Sequence, residues 1–546
     1  MARRRGGGSA GPRGLRGGSS LERRSIGTGS SPVSAGETLS NSLSGQGGRF
    51  PHGTVWGVRA GRKPPAGLSR RTVVEPTDRA EPSQGSSVPG WQAEAFPRRG
   101  LRECDMMDKG RTEMRLREMG VARAVISLLA VPALGQDGFR PLFNGKDLSG
   151  WVNVNCAPET WTVREGMIIC SGVPKGVLRT DRQYENFVLE LEWRQLQPKG
   201  NSGLFLFADA LPAVGSFCPR CIEVQIRDGN PGEIFPLRGA SMCPWYPPKE
   251  GRVRSIPSEN RVRGVGEWNH YRVEARDGTI TLAVNGKIVN RAYHANPRKG
   301  YICLESEGSE VHFRNIRILE LPGSNPPPEA TAREDEGFVP LYNGLDLRGW
   351  KLAPGSAGHW RANDWILAYD GKSEAEGNAK HLWSEGEFGD FVLIVDWRLP
   401  GPAEPDSVPI VLPDGSTLKA EDGSEVRVPV LDAGDSGIYL RGSAKAQVNI
   451  WNWPVGSGEI WGYCTDPAMP PEVRRACTPI QNADNPVGEW NRFVIAVRGS
   501  RVSVELNGRT VIREAELPGL PPRGPIALQH HGDPVEFANL FIKRLD

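Results

Sequence analysis

Three short strings place carboxyl, amide and aromatic side chains where strand geometry would gather them. In CIEVQIRD (residues 221–228), the apolar Ile222, Val224 and Ile226 alternate with Glu223 and Gln225. In YICLESEG (301–308), Ile302 and Leu304 alternate with Glu305, and Glu307 follows if the strand persists. In NSGLFLF (201–207), Leu204 and Leu206 set one side, leaving Asn201, Phe205 and Phe207 on the other. Successive side chains of a strand point to opposite faces, so an apolar set that claims the core sends its neighbours outward. If the three strands share one sheet, its open face carries Glu223, Gln225, Glu305, Asn201 and flat rings. Two carboxyls can act as acid and base, and rings give a stacking platform, which is the equipment for chemistry on sugars. The plain alternative is an ordinary solvated outer face.

The same strings return further along with a different polar set. Gln447 stands for Glu223, Asn449 for Gln225 and Gln529 for Glu305, each 224 residues later. Amides hydrogen-bond sugars well but exchange no protons. The later set adds Asp435, Tyr439, Arg441 and His531 to the same face. His531 beside Asp435 could serve as general base or metal ligand, and a structural histidine fits equally. NIWNWPVGSGEIWGY (449–463) contributes Trp451, Trp453 and Trp461, a density of rings suited either to stacking on a sugar or to a core.

The elements that must position these residues follow from the repetition. GFRPLFNGKDLSGW (138–151) is answered by GFVPLYNGLDLRGW (337–350), and ENFVLELEWR (185–194) by GDFVLIVDWR (389–398). GNSGLFLF (200–207) meets GDSGIYLR (434–441), and GYICLESEGSEVHFRNIRIL (300–319) meets GPIALQHHGDPVEFANLFIK (524–543). Units this long are whole domains in tandem, not solenoid repeats. Alternation in NFVLELEWR, and runs flanking Asn285-Gly286 and Asn507-Gly508, predict short antiparallel strands and hairpins. Helical periodicity is missing from both copies. The prediction is all-β: two tandem antiparallel sandwiches of jelly-roll type, over 138–321 and 337–546, joined by a Pro-rich linker at 322–336. Residues 400–433, peculiar to the second copy, read as a long surface loop.

The chain has 546 residues, 38% hydrophobic and 24% charged, with a formal net charge of +3. That balance gives no case for nucleic acid. Residues 1–113 read as a disordered or wrongly included extension, rich in Gly, Arg, Ser and Pro. From Met114, a basic start precedes an apolar run from Ala124 to Leu134 and a small-x-small pattern at Ala133 and Gly135. Residues 114–135 therefore read as a signal peptide, with secretion or a periplasmic location expected. No other segment could cross a membrane. Of nine cysteines, Cys464 and Cys477 are alone in the second copy and are the expected partners there if any disulfide forms. The CPRC of 218–221 is half a zinc site with nothing to complete it.

LFNGKDLSGW, NSGLF, EVQI, GEWN and EGSEVHFRNI, in order and echoed in the second copy, resemble the 3-keto-disaccharide hydrolase domain family. The resemblance implies a concanavalin A-like fold and cleavage of glycosidic bonds in 3-keto-glycosides, with a carbohydrate as partner. A ketone at C3 acidifies the C2 proton, so the aglycone can leave by elimination with one base and one acid. Glu223 with Glu305, or His531 with Asp435, could supply that pair, with Asn201, Gln225, Tyr439, Arg441, Gln447, Asn449, Trp451 and Gln529 binding substrate. No cofactor is firmly implied. A divalent metal polarising the ketone is compatible, although no ligand set has diagnostic spacing. A lectin-like binding protein, or one catalytic and one binding domain, are the competing readings. Oligomeric state is open.

Overall fold

The computed structural model describes residues 138–246, 253–335 and 337–546. The extension expected at 1–113 and the signal peptide expected at 114–135 lie outside them. Within the described residues, each copy is an antiparallel two-sheet sandwich, as alternation predicts.

In the first sandwich, the larger sheet is centred on Phe187–Gln195, flanked by Asn269–Arg276 and Val311–Glu320. The smaller sheet runs in the order Trp151–Asn153, Gly176–Thr180, Tyr301–Ser306, Gly203–Ala208, Cys221–Gln225, Ile234–Leu237. The second sandwich repeats the plan. Phe391–Arg398 lies between Asn491–Arg498 and Pro534–Arg544, and the smaller sheet runs Trp350–Lys351, Leu382–Phe388, Gly524–Leu528, Ser436–Leu440, Ser443–Ile450. The Asn-Gly hairpins form with both central residues at positive φ, 47° and 85° at Asn285-Gly286 and 52° and 76° at Asn507-Gly508. That geometry matches the right-handed twist of the strands they join.

Each sandwich has its own core. Leu189, Leu191, Leu204, Ile222, Val224 and Leu304 meet in the first, and Leu393, Val395, Ile438, Val448, Ile460 and Leu528 in the second. A third apolar cluster spans both copies. Val177, Phe205, Cys221, Tyr301 and Cys303, on the outer face of the first sandwich's smaller sheet, pack with Ile394 and Phe541 from the second sandwich's larger sheet. The back of copy two therefore lies against the face of copy one that alternation had sent outward.

The insertion of copy two is not a loop. Glu404–Pro409 and Arg427–Asp432 form an antiparallel ribbon in register from Glu404 opposite Asp432 to Pro409 opposite Arg427. Its prolines and charges hide the alternation on which strand assignment depends. Two short helices, Trp461–Cys464 and Pro471–Ala476, follow the last strand of the smaller sheet. The linker is tied down along copy one: Ala332 N donates to the Lys299 carbonyl (2.7 Å) and Arg333 N to Asp209 (2.9 Å).

Candidate active site on the second sandwich

On the first sandwich the strand register is the expected one. Phe205 stands opposite Glu223, and Leu204 opposite both Val224 and Leu304, so the three strings are neighbours in one sheet. Ile222, Val224 and Ile226 enter the core, and Glu223, Gln225 and Glu305 take the other face. That face is not an open concave surface, as the sequence suggested. Ala210, Leu211 and Cys218 of the 209–220 loop cover it with the back of copy two, leaving Glu223 4% and Glu305 2% exposed. Alternation separates the two faces of a sheet but does not say what another domain lays on one of them.

The geometry beneath the cover is specific. A Cβ at Gly203 would lie 2.8 Å from Glu223 Oε1 and 2.9 Å from Glu305 Oε2, the two carboxyl oxygens that have no hydrogen-bond partner. Burial, with Glu307 nearby, pushes Glu223 up to about 8, and burial beside Glu223 pushes Glu305 well above the carboxylate range. Gln225 Oε1 accepts from Ile226 N (2.9 Å), and Asn201 donates to Glu307. Phe207, expected on the outer face, instead joins the inter-sheet core at φ +57°.

On the second sandwich Gln447, Asn449 and Gln529 are buried as well, but one end of the face opens into a cleft. The amides close on one another: Gln447 Nε2 donates to Gln529 Oε1 (2.9 Å) and to Asn449 Oδ1 (2.6 Å). Beside them, a cleft of ≈ 580 Å³ is lined by Asp435, Trp453, His531 and Asp533, with Glu404 and Asp432 of the ribbon as its far wall. Burial, opposed by His531, raises Asp435 to about 7, and its Oδ1 is unpartnered. Its backbone N–H donates to Asp533 (3.1 Å), which also faces His531 Nδ1 at 3.4 Å. Asp435 and His531 are thus brought together, as the sequence proposed. Tyr439 meets His381 edge-on (4.9 Å) and stacks on Trp383 (5.9 Å).

Two expected binding residues are placed differently. Arg441, aligned with Phe207 and likewise at positive φ (+49°), turns off the face. Its guanidinium donates to the carbonyls of Gly389 (2.7 Å) and Gly499 (2.6 Å) and to Asp390 (2.7 Å), binding loops together at the sheet's end. Trp451 is buried, donates to the Gly456 carbonyl (2.8 Å) and stacks beneath Trp453 at 4.2 Å and 6°. Trp453 lines the cleft, and Trp451 backs it. Cys464 and Cys477 are free buried thiols rather than a disulfide, and Cys218 and Cys221 are free buried thiols too.

Two groups escaped sequence reasoning. His381 accepts from His530 N through Nδ1 (3.1 Å), and burial holds it down at about 4, so it is a neutral imidazole protonated at Nε2. No local pattern marks it, since copy one has Val177 at the aligned position. Glu459 is the other. It accepts from Cys464 Sγ through Oε1 (2.9 Å), leaves Oε2 unpartnered, and is pushed up to about 7 by burial. A signal existed: PGEIF at 231–235 recurs as SGEIW at 457–461. Among the described residues no group of three or more His, Cys, Asp or Glu is placed to hold a metal ion.

Residues 138–319 and 337–543 match the family of the 3-keto-alpha-glucoside-1,2-lyase-like domain. A 3-keto-disaccharide hydrolase of Bacteroides thetaiotaomicron is 24% identical over 241 residues, covering 34% of this chain and 79% of the relative. Among solved structures, a Parabacteroides distasonis protein provisionally assigned to the glycosyl hydrolases is 23% identical. That match covers 35% of this chain and 99% of the other, with a TM-score of 0.28. A Bacillus licheniformis beta-glucanase is 12% identical, covering 34% and 97%, with a TM-score of 0.24.

Proposed function

The chain belongs to the 3-keto-alpha-glucoside-1,2-lyase-like domain family in both its copies, and from that premise we propose that it cleaves the glycosidic bond of 3-keto-glycosides on its second sandwich. The observation that carries this reading is Asp435: a carboxyl raised to about 7 at the wall of an open cleft, with one oxygen unpartnered, beside His531 and the Trp453 ring. A base working near neutral pH needs a pKa in that region. Asp435 takes the C2 proton made acidic by the neighbouring ketone. The C2–H electron pair forms the C1–C2 double bond, the C1–O bond breaks, and the departing oxygen leaves with a proton. Water then adds across the double bond, its oxygen to C1 and a proton to C2, so the net reaction is hydrolysis. Asn449 Nδ2, also unpartnered and buried, is a donor suited to a ketone or hydroxyl oxygen. Trp453, backed by Trp451, offers a face for the sugar ring.

Asp435→Asn should lower turnover about a hundredfold or more, with the fold intact. Glu223→Gln should leave cleavage unchanged, because that carboxyl is sealed under the 209–220 loop. The reverse result would move the chemistry to the first sandwich. If neither variant changes cleavage while Asp435→Asn weakens sugar binding, the lectin-like reading stands, which the amide cluster of Gln447, Asn449 and Gln529 also suits. Export belongs to the same proposal, on the strength of the 114–135 segment. N-terminal sequencing of the mature protein should begin near Gln136, and peptides from before Met114 in it would count against export by this route.

A further inference from the structure

We infer that Glu459, oriented by the Cys464 thiol, is the proton donor to the departing oxygen in the second sandwich's site. This rests on the reading above, in which Asp435 takes the C2 proton. Strand pairing sets Glu459 beside Asn449: Asn449 N donates to the Glu459 carbonyl (2.9 Å), and Val448 bridges Ile460. Val448 and Ile460 both enter the core, so Glu459 falls on the face that carries Gln447 and Asn449.

The environment of this carboxyl differs from that of its counterpart in copy one. Glu233 is ion-paired to Arg254 at 2.5 Å. Among the described residues no cation is ion-paired with Glu459. The side chain is 1% exposed, and the Cys464 thiol donates to Oε1. Burial and Glu459 itself hold Cys464 far up, so it remains a thiol and donates without titrating. Because the thiol occupies Oε1, the exchangeable proton sits on Oε2, the unpartnered oxygen.

The charged and titratable groups packed around it are few. Asp435 raises it, Cys477 is a buried thiol held up at about 12, and Arg474 of the adjoining helix donates to the Cys464 carbonyl (2.9 Å). The connection between the ribbon's two strands packs on the thiol: at Gly415, φ +75°, any Cβ would collide with Cys464 Sγ. In the reaction, the Oε2–H bond breaks as the departing oxygen takes that proton, and the C1–O electrons remain on the oxygen. Glu459 ends as carboxylate and Asp435 as acid. The water that adds at C1 re-protonates Glu459, and Asp435 returns its proton to C2.

The test uses the full chain and compares Glu459→Gln, Cys464→Ala and Cys464→Ser with wild type on a 3-keto-glucoside across pH. Glu459→Gln should cut kcat about a hundredfold with KM little changed. A donor must be protonated, so activity falls above its pKa. Removing the thiol donor destabilises the carboxylate, so Cys464→Ala should move the alkaline limb up by about one pH unit, and Cys464→Ser should restore it. A purely structural Cys464 would change the thermal midpoint and leave the limb in place. The carboxyl carbon NMR signal that Glu459→Gln removes should titrate near 7 in wild type. The inference is overturned if wild type cleaves while Glu459→Gln keeps its turnover, if the limb ignores Cys464→Ala, or if the signal titrates near 4.5. Wild type that cleaves no 3-keto-glycoside overturns the reading of the preceding section, and this one with it.

Discussion

At Glu223 and Glu305 of the first sandwich, two unpartnered carboxyl oxygens converge on the space left by Gly203. At the aligned Gln447 and Gln529, one amide donates to the other at 2.9 Å, beside Gly437, where a Cβ would lie 2.7 Å from Gln447 Nε2. The amide pair is uncharged and hydrogen-bonded where the carboxyl pair must stay protonated to avoid buried charge. Two buried carboxylates so close cannot both ionise cheaply. Glu223 folds at about 8, against 4.5 when free, so the folded state binds the extra proton between those values. Its contribution to stability is complete below pH 4.5, falls as pH rises from there, and is gone above 8. The slope is about 1.4 kcal/mol per pH unit for one proton. Denaturation of wild type should therefore show stability declining from pH 5 to 8, and Glu223→Gln, which imitates copy two, should flatten that decline. An equal slope in the variant would show that the pair does not hold the proton.

Between the residue and the domain, strands were legible where one face is apolar. Ile222, Val224 and Ile226 on one side and Glu223 and Gln225 on the other are placed as alternation requires, because the inter-sheet core leaves only one register. The same rule fails where the backbone breaks period. Phe207 and Arg441 sit at positive φ, the strand shifts register at that end, and each side chain turns from the outer face. The ribbon of 404–432 was unreadable as strand because most of its side chains face solvent, so no apolar set marks its pleat. Glu459 was hidden for a different reason. Its meaning comes from a missing partner, the cation that Arg254 supplies in copy one, and an absence of pairing is not written in local sequence. The open cleft also depends on which connection is long. Copy one spends residues 209–220 covering its carboxyls, whereas copy two makes the same connection with the turn at Arg441-Gly442 and places its long insertion earlier.

For the whole molecule, the two copies differ most on their backs. In the first sandwich, Glu192 pairs with Arg314 (2.6 Å) on a solvated face, where His270 and Asn315 line a shallow groove of ≈ 470 Å³. The aligned residues of the second, Asp396, Arg492 and Asn539, hold the 209–220 loop of the first. Arg492 pairs with Asp396 at 2.5 Å and donates to the Pro212 carbonyl (3.0 Å). Asn539 Nδ2 donates to Ser216 O (2.9 Å), and Gly215 N to Asp396 Oδ2 (2.9 Å). Asp396 is fully buried, and removing one partner of a buried ion pair leaves the other charge uncompensated, at about 3–5 kcal/mol. Asp396→Ala should therefore cost that much in chemical denaturation and release the loop from copy two. Replacing Asp396 and Arg492 together with apolar residues of similar volume should recover much of it. The release has its own signature, because Cys218 and Cys221 are buried thiols at the end of this loop. Both should react with a thiol reagent in Asp396→Ala under conditions where wild type stays protected. Protection of both in a variant that has lost stability would mean that the loop is held by copy one alone. The second sandwich would then be a neighbour of that face and not its lock.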